Sequence, residues 1–155
     1  MSETIVALKH IFEKHKNVRI CVIGTMCCGK TTIMKELTEY NCVDVDDEFW
    51  PQIPQNEIER LSVTPITQEI MDVIYGLIHE KVIVKPGHPS FGVTILDCDV
   101  VVYMDISDKL LEKHCRQRGD TVLRDALFVK RLVENDLCNH KTKNDKVFYC
   151  LTVTE

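Results

Sequence analysis

The 155-residue sequence has no apolar run long enough to span a membrane. Met1 to Lys9 also lack the basic-then-apolar pattern of a secretory leader. These absences predict a soluble, cytoplasmic protein with no membrane partner. There is no Cys-x-x-Cys pair and no Cys/His spacing suited to a structural metal, although eight cysteines are present. Several, Cys21 and Cys42 among them, stand in apolar runs, where cysteine behaves as a small hydrophobe, so reduced thiols are expected rather than a disulfide framework. No repeat, low-complexity stretch or linker divides the chain, and residues 1–155 are read as one domain. A strong basic surplus is missing too. The net charge is −5, with −8 over residues 1–108 and +3 over residues 109–155. A mildly basic C-terminal third can face an anionic ligand, but it does not mark a duplex-binding protein.

What is present is ordinary for a folded domain: 45% apolar and 28% charged residues. The apolar pattern predicts a helix over residues 4–16, then a buried strand, Val18-Arg19-Ile20-Cys21-Val22-Ile23, stopped by Gly24. A helix from Lys30 to Tyr40 follows, with Ile33, Met34 and Leu37 on one side, and a second strand over Cys42–Val45. Pro51 and Pro54 mark a loop. Thr64 as cap and Pro65 at the first helical position predict a helix carrying Ile66, Ile70, Val73, Ile74, Leu77 and Ile78. Lys81–Val84 is read as the third strand, stopped by Pro86-Gly87, and Val100–Met104 as the fourth. Ser107 or Asp105 should cap a helix ending at Gly119; a further helix spans about 121–137, and Val147–Leu151 is the fifth strand. Short apolar strands alternating with helices imply an α/β fold: a doubly wound, five-stranded parallel sheet with helices on both faces.

The most specific feature is Gly24-Thr25-Met26-Cys27-Cys28-Gly29-Lys30-Thr31, a full match to G-x-x-x-x-G-K-S/T placed directly after a strand and before a helix. Glycines at both ends let backbone N–H groups wrap an anion, and the helix start adds positive potential. Lys30 can reach the outer phosphates of a nucleoside triphosphate, and the Thr31 hydroxyl can ligate Mg²⁺. Gly24, Thr25, Met26, Cys27, Cys28, Gly29, Lys30, Thr31 and Thr32 are therefore the candidate nucleotide-binding residues. Cys27 and Cys28 fill variable positions, and oxidation of either thiol would block the cradle.

The order of strand, phosphate loop, helix, strand with Asp44-Val45-Asp46-Asp47, and then Val-Val-Tyr-Met-Asp before an arginine-bearing helix resembles the small P-loop kinases. These include shikimate, gluconate and nucleoside-monophosphate kinases and the kinase domain of polynucleotide kinase. The resemblance covers nearly the whole chain and implies an ATP- and Mg²⁺-dependent phosphotransferase of small-kinase type. It implies that Asp46 positions and deprotonates the acceptor hydroxyl and that Asp44 belongs to the metal shell. It further implies that Arg118 and Arg116, with Arg124 behind them, clamp the transferring phosphoryl group. A nucleoside or nucleotide acceptor is favoured, then a metabolite, then a polynucleotide end.

Departures from the pattern keep other readings open. No acidic residue follows the third strand as read, so Asp44 or Asp46 must replace it at the metal. His88 is a candidate acceptor contact, Asp105 is read as a cap rather than a metal ligand, and Phe49 and Trp50 serve either acceptor stacking or the core. Glu48-Phe49-Trp50 stands where polynucleotide kinases carry an arginine. One rival is a GTPase switch, raised by Thr142-Lys143-Asn144-Asp145; the other is a nucleotide-binding module without catalysis.

Overall fold

A computed structural model describes residues 2–143 and 145–154. The strands β1 (Ile20–Ile23), β2 (Val43–Asp44), β3 (Ser90–Gly92), β4 (Val100–Asp105) and β5 (Val147–Thr152) form one sheet in the order β2-β3-β1-β4-β5. Every pairing is parallel, from Cys21 beside Ser90 and Ile20 beside Val100 to Val100 beside Val147. All four residues of β1 are buried because helices cover both of its faces. Ile20, Val22, Val100 and Val102 point into a core shared with α1 (Ser2–Lys14), α2 (Lys30–Lys35) and α6 (Asp108–Arg118). Their alternates Cys21, Ile23, Val101 and Tyr103 pack against α3 (Val45–Phe49), α5 (Gln68–Lys81) and α7 (Leu123–Lys141). Period-two alternation thus divides one sheet between two cores. All eight cysteines are free. Among the described residues no helix is long and apolar enough to cross a membrane.

The third strand differs from the sequence reading. Lys81 closes α5, and the Val82 amide caps that helix on the Ile78 carbonyl at 2.9 Å. Val82 and Val84 are buried while Ile83 is 79% exposed, so the apolar run packs without pairing. Pairing falls instead to Ser90-Phe91-Gly92, between β2 and β1. Gly92 fits there because a Cβ would come within 3.1 Å of the Val45 side chain. Residues 93–99 then return beneath the sheet to β4 as irregular chain, burying Ile95, Leu96 and Cys98 in the second core.

Other boundaries move for local reasons. The helix after the phosphate loop stops at Lys35, and Thr38–Tyr40 form a separate tight turn. The helix expected to begin at Pro65 begins at Gln68, capped by Thr67, whose side chain accepts from the Ile70 amide. The Pro51–Pro54 loop contains a turn over Trp50–Gln52 and is followed by the unforeseen α4 (Gln55–Leu61). Ser107, not Asp105, caps α6, and Gly119 ends it in the left-handed conformation at φ 79°. Asp105 is the last residue of β4, its carbonyl accepting from the Val153 amide at 2.7 Å.

Candidate phosphate-binding active site

The loop begins where β1 ends. The Gly24 amide donates to the Gly92 carbonyl at 3.1 Å, fixing the start of the loop to β3. A Cβ at Gly24 would meet the Cys28 sulfur at 2.7 Å and the Met104 Cβ at 3.3 Å, so the backbone passes through a gap only glycine fits. Thr25 is buried, and its hydroxyl donates to the Ala126 carbonyl at 2.5 Å, tying the loop to α7. Cys27 and Gly29 adopt left-handed backbone at φ 64° and 103°, the turn pattern that aims successive N–H groups into one concavity. Lys30 then opens α2, a helix of only six residues. Its short length leaves the loop amides and the ammonium group as the principal anion donors. The Lys30 Nζ donates to the Gly24 carbonyl and, at 2.9 Å, to the Thr25 carbonyl, which holds the ammonium over the loop.

The loop floors a cleft of about 850 Å³. Asp44 and Asp46 line it from the β2 side. Asp44 caps α3, its Oδ1 accepting from the Asp46 amide at 3.0 Å. Burial, and then the like charges of Asp46 and Asp47, hold the Asp44 carboxyl above the usual carboxylate range; the Asp46 amide and Lys30 oppose the shift. Asp47 is exposed and does not line the cleft.

On the β4 side, α6 presents His114, Gln117 and Arg118, and Thr121 follows in the connection to α7. The His114 Nδ1 donates to the Cys27 carbonyl at 2.8 Å, which fixes its tautomer, since a carbonyl only accepts. The Arg118 Nη1 lies 3.8 Å from the Cys27 sulfur while its Nε pairs with Asp120 at 2.7 Å. Buried Cys115 lies on the same helix, its thiol pushed up to about 11 by burial and by neighbouring Cys27.

Of the sequence candidates, the cleft gathers Thr25 to Thr32, Asp44, Asp46 and Arg118. Arg116 is exposed and outside it, because two residues along a helix rotate a side chain about 200° away from the His114 face. Arg124 is exposed and also outside. His88 bonds the Asn41 carbonyl at 3.2 Å, before β3, at the end of the sheet opposite the loop. Phe49 is fully buried against Trp50, with ring centroids 4.8 Å apart, so it is a core residue and cannot stack on an acceptor. Thr142 and Lys143 lie between α7 and β5, also at the far end of the sheet from the loop, and Asn144 of that element lies outside the described residues. His114, Gln117 and Thr121 went unread in the sequence, although His114 and Gln117 recur with Arg118 at i, i+3 and i+4 on α6; Thr121 lies beyond the end of that helix.

No group of three or more His, Cys, Asp or Glu side chains suited to a metal exists among the described residues. Thr31 and Asp44, read from the sequence as metal ligands, both line the cleft; a Mg²⁺ ion carried by phosphate oxygens would need only one or two such protein ligands.

No protein-family model matches the chain, and no curated protein matches it by sequence. Solved structures do match in fold. TT1252 from Thermus thermophilus superposes with a TM-score of 0.55 at 11% identity, covering 90% of each chain. A gluconokinase from Sinorhizobium meliloti 1021 superposes with a TM-score of 0.52 at 14% identity, covering 90% of this chain and 84% of its own. The chain therefore has the α/β P-loop fold found in small kinases.

Proposed function

We propose that the protein is a Mg²⁺- and ATP-dependent phosphotransferase acting on a hydroxyl group of a small acceptor. The observation that carries this reading is a single cleft lined by Thr25 to Thr32 of the phosphate loop, two carboxylates from the β2 side and an arginine from α6. The loop amides and the Lys30 ammonium bind the β- and γ-phosphates, and Thr31 with Asp44 holds Mg²⁺. The metal, when bound, neutralises charge on the phosphate oxygens. Asp46, which lines the cleft, acts in this scheme as the base for the acceptor. The acceptor oxygen bonds to the γ-phosphorus as the bond to the β,γ-bridging oxygen breaks. ADP leaves with that electron pair, and the acceptor proton passes to Asp46. Arg118, within reach of the loop rim at Cys27, stabilises charge on the phosphoryl group in flight. Arg116 has no direct part in this scheme.

Calorimetry with Mg²⁺ and ATP, followed by turnover assays on two variants, tests the scheme. Lys30→Ala should abolish turnover. Asp46→Asn should lower the chemical rate about 10²- to 10⁴-fold while changing ATP affinity little. Absence of ATP uptake by folded wild-type protein, or an unchanged rate in the Asp46 variant, would refute it.

A further inference from the structure

We propose that the acceptor is an alcohol without a phosphate or carboxylate of its own, either neutral or amine-bearing. This deepens the phosphotransferase reading and rests on it.

Charge in the cleft is sorted by side. Its Lys and Arg residues are Lys30, from the loop after β1, and Arg118, from the helix after β4. Both are assigned to the donor phosphates in the scheme above: Lys30, held over the loop by the carbonyls of Gly24 and Thr25, and Arg118, at the loop rim near Cys27. The acceptor side lies the other way, towards β2, two places along the sheet from β1 and so about 10 Å from it. There the lining is Asp44, Asp46, Phe91, Gly92 and Val93, with no Lys or Arg among them, and a Mg²⁺ held by Asp44 would be engaged by the polyphosphate.

The elements built out from that side do not supply a cationic side chain either. Between Val45 and Lys81 the chain carries eight acidic side chains and two basic ones, Arg60 and Lys81. The Arg60 guanidinium is bound by Glu57 at 2.6 Å, and Lys81 closes the far end of α5 without lining the cleft. Lys85 and His88 precede β3 and therefore stand at the opposite end of the strands from the loop. Asp47 and Glu48 are exposed on α3 beside the cleft carboxylates. An anionic group on the acceptor would be left without a cationic side chain to pair with, among like charges. A hydroxyl or an ammonium group meets acceptors of hydrogen bonds and opposite charge. Mononucleotides, sugar acids and polynucleotide ends are thereby disfavoured as acceptors.

The full chain with Mg²⁺ and γ-phosphate-labelled ATP is tested against a panel of nucleosides, polyols, amino sugars and amino alcohols, and against mononucleotides, sugar acids and oligonucleotide ends. Label is expected in a neutral or amine-bearing alcohol, with every anionic acceptor at least tenfold slower. The double variant Asp47→Lys, Glu48→Lys is expected to raise the rate with mononucleotides about fivefold at low ionic strength and to leave ATP affinity within twofold. Preference for an anionic acceptor, or a mononucleotide rate indifferent to the charge reversal, overturns the proposal. If ATP binds calorimetrically but no alcohol in the panel is labelled, this proposal fails alone. If ATP does not bind, the phosphotransferase reading fails and this one falls with it.

Discussion

Replacing Gly24 by alanine would place a methyl group 2.7 Å from the Cys28 sulfur and 3.3 Å from the Met104 Cβ. Neither neighbour is free to yield, since Cys28 is 1% exposed and Met104 fully buried. The Met104 carbonyl at 3.4 Å closes the remaining side with backbone. Overpacking of this kind costs about 1–3 kcal/mol. At about 2.1 cal/mol/K per residue, the unfolding entropy of a chain this long is about 0.33 kcal/mol/K, so Tm should fall by about 3–9 °C. Because the tightest contact is one sulfur atom, the cost should be coupled to it. Cys28→Ala alone should cost about 1 kcal/mol, the value of one buried methylene-sized group. The double variant Gly24→Ala, Cys28→Ala should then be more stable than the sum of the singles by about 1–2 kcal/mol. Urea or thermal unfolding of all four proteins measures this cycle. Additivity within about 0.5 kcal/mol would show that the sulfur is not the obstacle. The same cycle has a functional side: the single Gly24 variant should lose ATP binding as the loop is displaced, and the double variant should recover part of it.

Asp44→Asn should abolish metal-dependent turnover and yet stabilise the fold at neutral pH. Its carboxyl is held above the ordinary range by burial and by Asp46 and Asp47, so the folded chain binds the extra proton. The stability linked to that proton is fully present below the unfolded pKa and lost as pH rises through the folded one; the variant's advantage should appear across that window and vanish in acid. An advantage independent of pH would contradict the assignment. Asp125→Ala removes the buried carboxylate that accepts from the Ile66 amide at 3.1 Å, and should cost about 1–3 kcal/mol and expose residues 62–67 to limited proteolysis, whereas Asp125→Asn should retain most of the stability. Maleimide labelling should modify Cys27 and not the buried Cys28, and should block ATP binding; Cys27→Ser should resist inhibition even though exposed Cys138 and Cys150 still react.

The parts of the fold legible in the sequence are those whose backbone demands particular residues. The loop from Gly24 to Thr31 needs glycine at a close approach and at a left-handed turn, and both positions are filled. The β-branched runs of β1 and β4 and the Ser107 and Gly119 ends of α6 were legible for the same reason. What escaped was decided by tertiary partners. Ser90-Phe91-Gly92 has little strand propensity and becomes a strand because β1 and β2 flank it, while the more strand-like Val82-Ile83-Val84 finds no neighbour to pair with. At the candidate site, Asp44, Asp46 and Arg118 were indicated by the resemblance to small P-loop kinases, and all three line the cleft. Arg116, indicated in the same way, does not, since its direction depends on helical phase, and Phe49 was claimed by a core that only the packed helices define.

The arrangement also explains why Asp44 stands where burial and like charge disfavour it. β2 has only two residues, and α3 begins immediately after it, so the turn between them places Asp44 at once on the sheet and at a helix cap. One carboxylate oxygen accepts from the Asp46 amide, which orients the group. That turn can lie close to the sheet only because Gly92 leaves room for Val45. Gly92 in turn accepts from the Gly24 amide at the root of the phosphate loop. The carboxylates and the anion cradle are thus positioned by a single chain of contacts, Asp44 through Val45 and Gly92 to Gly24. An unfavourably placed carboxylate facing the loop suits the proposed metal bound to a polyphosphate, and the free energy withheld from folding would be recovered if that cation binds there.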